Sequence, residues 1–152
     1  MDMNRERYLV KSAGGNIDGT RAGLAQFLKL LDQFDEGVIV APDVSALKNG
    51  MFAMVLEEVD PALAKALIQK REHVFSDSKK VSVCTQATLK NFKRSALYLV
   101  LWGSSYMIAD VETFDRWGAV VLVSWQSPDY AAWAQDFPVT VIYDDGLPDF
   151  KI

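Results

Sequence analysis

The stretch "ALYLVLWGSSYMIADVETFDRWGAVVLVSW", residues 96–125, holds two strand-like runs on either side of a helix-like segment. The runs "ALYLVLW" and "AVVLVSW" are apolar at nearly every position, so a strand in either place would be buried on both faces. Between them, apolar residues recur at helical spacing: Met107, Ile108, Val111 and Phe114. Such a unit is typical of a parallel sheet covered by helices on both faces.

The same alternation extends in both directions along the chain. Strand-like runs are "RYLV" (7–10), "GVIVAP" (37–42), "VSVC" (81–84) and "VTVIY" (139–143). Helical patterns begin near Thr20 as N-cap, at Asp60-Pro61 and continuing through Phe75, at Gln86, and at Ser127-Pro128. The sequence therefore predicts one α/β domain over residues 1–152, a doubly wound, Rossmann-like and mostly parallel sheet of about five to six strands with helices on both faces.

The segment from Met51 to Val59 carries two opposing signals. Asn49-Gly50 before it is a frequent hairpin turn, which would favour a strand. The apolar residues Phe52, Val55, Leu56 and Val59 instead recur with a period near four. We therefore predict a helix, with a strand as the alternative.

Composition and charge restrict the class of protein. Half of the 152 residues are hydrophobic and 24% are charged, as in ordinary soluble domains. The net charge of -4 argues against general affinity for nucleic acid, and the longest apolar runs are too short to cross a membrane. The first 15 residues hold no apolar run of signal-peptide length, so we expect a cytoplasmic protein.

Charge is segregated along the chain. Basic residues dominate from Lys65 to Arg94, and acidic residues dominate from Asp110 to Asp149. Two solvated faces of opposite sign would explain this arrangement. Self-association or a polar partner is the functional alternative. Together with the surplus of aromatic residues, the charge segregation leads us to expect a homo-oligomer.

The glycine-rich segment "KSAGGNIDGTRAG" (11–23) follows the first predicted strand and precedes a helix, where phosphate-binding loops lie. Its glycines do not reproduce the dinucleotide pattern G-x-G-x-x-G. Gly14 and Gly19 have the separation of a P-loop, but Thr20-Arg21 replaces the required lysine and hydroxyl residue. A turn is favoured, and anion or cofactor binding by Gly14, Gly15 and Thr20 is the alternative.

No complete catalytic set is present in the sequence. Ser105 lies in a broken nucleophile-elbow pattern, and His73, the sole histidine, precedes it instead of following it. We interpret His73 as a surface residue of a helix and Cys84 as a small buried core residue. We therefore predict no catalytic residue.

Tryptophans suggest a ligand pocket. Trp102 and Trp125 each end a strand, and consecutive strands of a parallel sheet are commonly neighbours, so the two indoles could flank one crevice. Small polar residues adjoin them: Ser104, Ser105, Gln126 and Ser127. An apolar wall with a few polar groups is typical of a small-ligand site, and core or interface packing is the alternative.

Carboxylates follow other strands. Asp43 comes after the second predicted strand, and Asp144 and Asp145 after the last. Parallel strands end at one edge of a sheet, where such oxygens could hold a divalent metal such as magnesium. Ordinary turns are the alternative, since Asp-Asp-Gly is a common turn sequence.

These patterns favour a binding module for a small planar ligand or a protein, non-catalytic or of unknown activity, with its site at the carboxyl edge of the sheet. One alternative is an enzyme that acts on a nucleotide-like molecule with a divalent metal. Another is an oligomeric scaffold without a ligand. No cofactor is specified by the sequence, and fold alone does not choose among these functions.

Overall fold

The computed structural model describes residues 5–12, 16–43, 45, 51–75, 77–102 and 105–146. The strands are β1 (Glu6–Lys11), β2 (Glu36–Ala41), β3 (Glu72–Val74), β4 (Lys80–Thr85), β5 (Leu97–Leu101), β6 (Ala119–Val123) and β7 (Thr140–Asp144). The α-helices are α1 (Ile17–Phe34), α2 (Met51–Val59), α3 (Pro61–Lys70), α4 (Ser105–Glu112) and α5 (Ala131–Asp136). Two 3-10 helices cover Gln86–Phe92 and Ser127–Asp129.

The described strands form one sheet in the order β3-β4-β2-β5-β6-β1-β7. Every neighbouring pair is parallel except β3 with β4. The predicted α/β class, with a mostly parallel sheet, is thereby confirmed. The sheet has seven strands because the short β3, which the sequence did not reveal, adds an antiparallel edge.

Helices cover both faces of the sheet, as strands that are apolar on both sides require. On one face α1, α2 and α3 pack through Phe27, Phe52 and Leu63. On the other face the first 3-10 helix, α4 and α5 pack through Leu89, Ile108 and Trp133. The strands β5 and β6 between them are buried along their whole length.

The strand order places a switch point between β1 and β6. These strands are neighbours, yet the helix after β1 lies on one face of the sheet and the helix after β6 on the other. The segments that follow β1 and β6 therefore leave the sheet toward opposite faces. In open α/β sheets a ligand crevice forms at such a point.

Three predicted helix boundaries were wrong, and the helix over Met51–Val59 is confirmed. The last helix begins at Ala131, because Ser127-Pro128 starts a separate 3-10 turn. Asn16, not Thr20, is the N-cap of α1, since its side-chain oxygen accepts from the Gly19 amide at 2.8 Å. The helix that begins at Asp60-Pro61 ends at Lys70 rather than Phe75, because Arg71 adopts a left-handed conformation (φ 61). The chain then enters β3, so His73 lies on an edge strand and not on a helix.

A partly buried ion pair attaches α4 and α5 to β1. Glu112 accepts from Arg7 Nε at 2.7 Å and from Arg7 Nη2 at 2.9 Å. The same carboxylate accepts from the Trp133 indole N–H at 2.7 Å. The Arg7 guanidinium also lies 4.3 Å from the Phe137 ring centroid. Three elements thus share one charged group, and both carboxylate oxygens of Glu112 accept hydrogen bonds, which favours tolerance of a partly buried pair.

We expect Gly23→Ala to destabilise the fold. A Cβ at Gly23 would lie 2.3 Å from Val123 Cγ2, so α1 can contact β6 this closely only at a glycine. Helix propensity alone would make the substitution stabilising by about 1 kcal/mol. Overpacking costs about 1–3 kcal/mol, so we expect the free energy of unfolding to fall in chemical denaturation.

Two further variants separate these effects. Ala25→Gly at an exposed position of the same helix reports propensity alone and should cost about 1 kcal/mol. Val123→Ala removes the clashing methyl, so it should cost less in the Gly23→Ala background than in the wild type. A Gly23→Ala protein more stable than the wild type would show that the contact is not tight.

Candidate functional site

Hydrogen bonds between two serines join the carboxyl ends of β1 and β6. Ser124 Oγ lies 3.0 Å from the Val10 carbonyl oxygen and 3.1 Å from that of Ser12, and it accepts from the Ser12 amide at 3.2 Å. Both serines are buried. These contacts fix the point where the chain leaves β1 toward α1.

The glycine-rich segment lies beside this junction. Gly14 and Gly15 fall outside the described residues. Thr20 is buried, and its hydroxyl donates to the Asn16 carbonyl at 3.1 Å, so it lies within the first turns of α1 rather than at the crevice. Ligand binding by these residues stays a prediction.

Trp102 and Trp125 lie in contact at the carboxyl ends of β5 and β6. Their ring centroids are 6.0 Å apart with an interplanar angle of 77°, an edge-to-face arrangement. Trp125 is 46% exposed, whereas Trp102 is half-buried and packs against the core. The structure therefore brings together the two indoles that the sequence suggested, with one of them open to solvent.

The backbone of Trp102 is in the left-handed region, with φ 49. This conformation is rare for a bulky residue and costs on the order of 1 kcal/mol or more. The Trp102 amide donates to the Val123 carbonyl at 2.8 Å, which helps to maintain it. Strained residues of this kind cluster at functional sites.

Asp129 fixes the turn that carries Trp125, a role that sequence analysis missed. Its carboxylate accepts from the amides of Trp125 and Gln126, both at 2.9 Å, and the residue is buried. The signal was the proline before it: Ser127-Pro128-Asp129 forms a 3-10 turn that directs the aspartate back to residues 125 and 126.

The other predicted pocket residues surround this turn. Gln126 is exposed directly after Trp125, and Ser105 is exposed as the first residue of α4. Ser127 begins the 3-10 turn. Ser104 lies outside the described residues.

The proposed metal ligands are not brought together. Asp43 accepts from the Ser45 hydroxyl at 2.8 Å, and Asp144 lies 4.0 Å from Lys11 Nζ. Strands β5, β6 and β1 lie between β2 and β7, a separation of about 19 Å at the usual strand spacing. Asp145 directly follows β7, beside Asp144. No group of three histidine, cysteine or acidic residues converges within the described ranges.

The possible nucleophiles and bases also lie apart. His73 on β3 makes an edge contact with Phe75, with ring centroids 4.6 Å apart. Strands β4 and β2 separate β3 from β5, so Ser105 and His73 do not form a pair. Cys84 is buried in the core as predicted, and burial raises the pKa of its thiol to about 12.

Comparison with known proteins gives a distant structural likeness. No protein-family model and no curated protein matches the chain. A mutant of the ATPase domain of the large terminase from Thermus phage P74-26 is similar in structure, with a TM-score of 0.41 and 12% sequence identity. The match covers 79% of this chain and 58% of that domain. A likeness this distant says nothing about the chemistry of the present chain.

The described helices include none with the length and apolar character needed to cross a membrane.

The environment of Cys84 predicts an unreactive thiol. With its pKa raised to about 12, the native protein holds almost no thiolate at pH 8, and unfolding returns the pKa to about 8.5. We expect a disulfide reagent such as Ellman's reagent to label Cys84 slowly in the native protein and rapidly in guanidinium chloride. Because the unfolded state alone deprotonates above about pH 8.5, this group should also lower stability as pH rises toward 12.

The unfolded protein serves as the control for intrinsic thiol reactivity. Stoichiometric labelling of the native protein within seconds at pH 8 would contradict the buried placement.

Proposed function

We propose that the protein is a non-catalytic binding module that captures a small planar molecule at the carboxyl edge of its sheet. The observation that carries the proposal is the edge-to-face pair of Trp102 and Trp125, with Trp125 46% exposed beside a topological switch point. An exposed indole held by a half-buried indole offers a flat apolar surface. Planar molecules stack on such surfaces with modest dependence on their identity.

The surroundings of Trp125 support a preformed surface. Asp129 holds the amides of residues 125 and 126, and the left-handed backbone of Trp102 sets the position of the second ring. A surface that is already ordered loses little conformational freedom on binding, and this favours affinity.

Polar groups that could orient the ligand lie at the rim. Gln126 is exposed after Trp125, and Ser105 is exposed at the start of α4. A mostly apolar wall with few hydrogen-bonding groups is the usual composition of a small-molecule site. No comparable support exists for the metal-dependent enzyme, because Asp43 and Asp144 end strands that are not neighbours.

Tryptophan fluorescence tests the proposal, with FMN, NAD and ATP as planar probes. We expect at least one probe to quench or shift the emission of the wild type in a saturable manner. Trp125→Leu should weaken its binding about tenfold or more, since loss of an aromatic stacking partner costs about 1–3 kcal/mol. Binding to the variant is followed by calorimetry, because the variant loses part of the fluorescence signal.

Phe75→Leu is the matched control, because it makes the same kind of substitution in a half-buried ring near β3, at the far side of the sheet. It should leave the affinity unchanged. Two results together would remove the proposal: no response of the wild type to any probe, and a large fall in the denaturation midpoint of Trp125→Leu. That combination identifies the indole pair as structural packing.

A further inference from the structure

A cavity lies at the opposite, amino edge of the sheet. Its volume is about 380 Å³, and it lies between the starts of β2 and β4 and the end of the first 3-10 helix. Its lining residues are Glu36, Val38, Lys80, Ser82, Lys90, Asn91, Phe92, Lys93, Arg94 and Ser95. The volume is within the range of small-molecule sites.

The cavity is strongly basic, although the chain as a whole has a net charge of -4. Four cationic side chains line it against one carboxylate, Glu36. Lys80 is paired with Glu72 at 2.8 Å. Among the residues that the structure describes, no ion pair involves Lys90, Lys93 or Arg94. Three exposed cations thus line one cavity without an ion-pair partner in the described chain, and Glu36 is the one carboxylate beside them.

A hydroxyl on the cavity wall makes no hydrogen bond within the described part of the chain. Ser82 is only 8% exposed and lines the cavity from β4, on the same sheet face as Cys84 and the first 3-10 helix. Within the described part of the chain, no hydrogen bond to its hydroxyl is present. Solvent in the cavity reaches Ser82 Oγ, since among the described residues only Trp117 Nε1 is a fully buried polar side-chain atom without a partner, and a ligand in the cavity can take the place of that solvent.

The wall around Ser82 is rigid. The Tyr98 hydroxyl donates to the Phe92 carbonyl at 2.5 Å and accepts from the Ser95 amide at 3.2 Å. Ser95 Oγ donates to the Leu97 carbonyl at 3.1 Å. These bonds hold the segment that carries Lys93 and Arg94 against β5, so the cations start from a fixed backbone.

We propose that this cavity binds a small phosphorylated molecule, with Lys93 and Arg94 contacting the phosphate and Ser82 donating to it or to a neighbouring oxygen. Arginine and lysine at a concave rim match a phosphate in charge and in hydrogen-bonding geometry. Val38 and Phe92 supply an apolar wall for the carbon skeleton. The exposed carboxylate of Glu36 suits a hydroxyl of the ligand and disfavours a ligand that is anionic throughout.

A nucleic acid fits this surface less well. Its backbone requires a basic face that extends over many phosphates, whereas these cations are concentrated at one small cavity. An acidic peptide segment would neutralise the exposed cations at the rim of the cavity, but it would leave the hydroxyl of Ser82 on the inner wall without a partner.

Calorimetric titration with glucose 6-phosphate, pyrophosphate and glucose tests the proposal in 20 mM and 500 mM NaCl. None of these probes has an aromatic ring, so the result does not depend on the tryptophan pair. We expect the protein to bind glucose 6-phosphate, more weakly at high salt, and not to bind glucose. The double variant Lys93→Gln/Arg94→Gln should lose about tenfold or more in affinity, as expected when charged hydrogen-bond donors are removed.

Lys65→Gln/Lys70→Gln is the matched control, because it removes the same charge from exposed positions of α3 on the other face of the sheet. It should retain wild-type affinity. Ser82→Ala should weaken binding severalfold without loss of stability, since it removes a buried hydroxyl that has no partner in the described chain.

Three outcomes would overturn the proposal. The wild type could fail to bind either phosphorylated probe at millimolar concentration. Both double variants could weaken binding equally, which would indicate attraction by overall charge alone. A poly-glutamate peptide could bind where the phosphorylated probes do not, which would identify the cavity as a protein-docking surface.

Discussion

The close contact of α1 with β1 and β6 is the constraint on which the rest of the structure depends. A Cβ at Gly19 would lie 2.9 Å from Ser12 Oγ, and one at Gly23 would lie 2.3 Å from Val123 Cγ2. The absence of side chains at these two positions lets the axis of α1 approach the sheet closely at the carboxyl ends of β1 and β6. The start of α1, the buried serine junction and the end of β6 are thereby held in one fixed arrangement, on which the crevice at the carboxyl edge depends.

The opposite face adds an ion pair to its apolar packing. Glu112 joins β1, α4 and α5 by accepting from Arg7 and Trp133. The guanidinium of Arg7 lies among aromatic rings, which are favourable neighbours for a delocalised cation. A bidentate pair of this kind defines where α4 lies along β1, because a shifted helix would leave a desolvated charge without its partner. One face is thus positioned by shape, and the other by apolar packing and an ion pair.

The α/β class could be predicted from the sequence because its signal is local. Runs such as "AVVLV" report burial on both faces whatever the strand order is. The contact of Trp102 with Trp125 followed from the same reasoning, since β5 and β6 are neighbours as consecutive strands commonly are.

The sequence-based predictions were wrong where the structure depends on pairing between distant parts of the chain. The edge strand β3 is three residues long and forms only because β4 is beside it, so "REHVF" continued the helical pattern without a stop signal such as glycine. The predicted grouping of Asp43 with Asp144 depended on strand order, which no local pattern encodes. The basic cavity combines residues of β2, β4 and the segment before β5, which become neighbours only when the sheet forms.

The two candidate sites lie at opposite ends of the same strand. Ser95 and Tyr98, at the start of β5, support the wall of the basic cavity, and Trp102 follows its last residue. All five residues of β5 are buried and pair with β2 on one side and β6 on the other. Any displacement of a strand that is paired on both sides and covered on both faces would break many contacts at once, because protein interiors are close-packed. Coupling between distant sites requires an element with two discrete arrangements. We therefore expect the sheet to act as a spacer, so that a ligand at one proposed site leaves the affinity of the other unchanged.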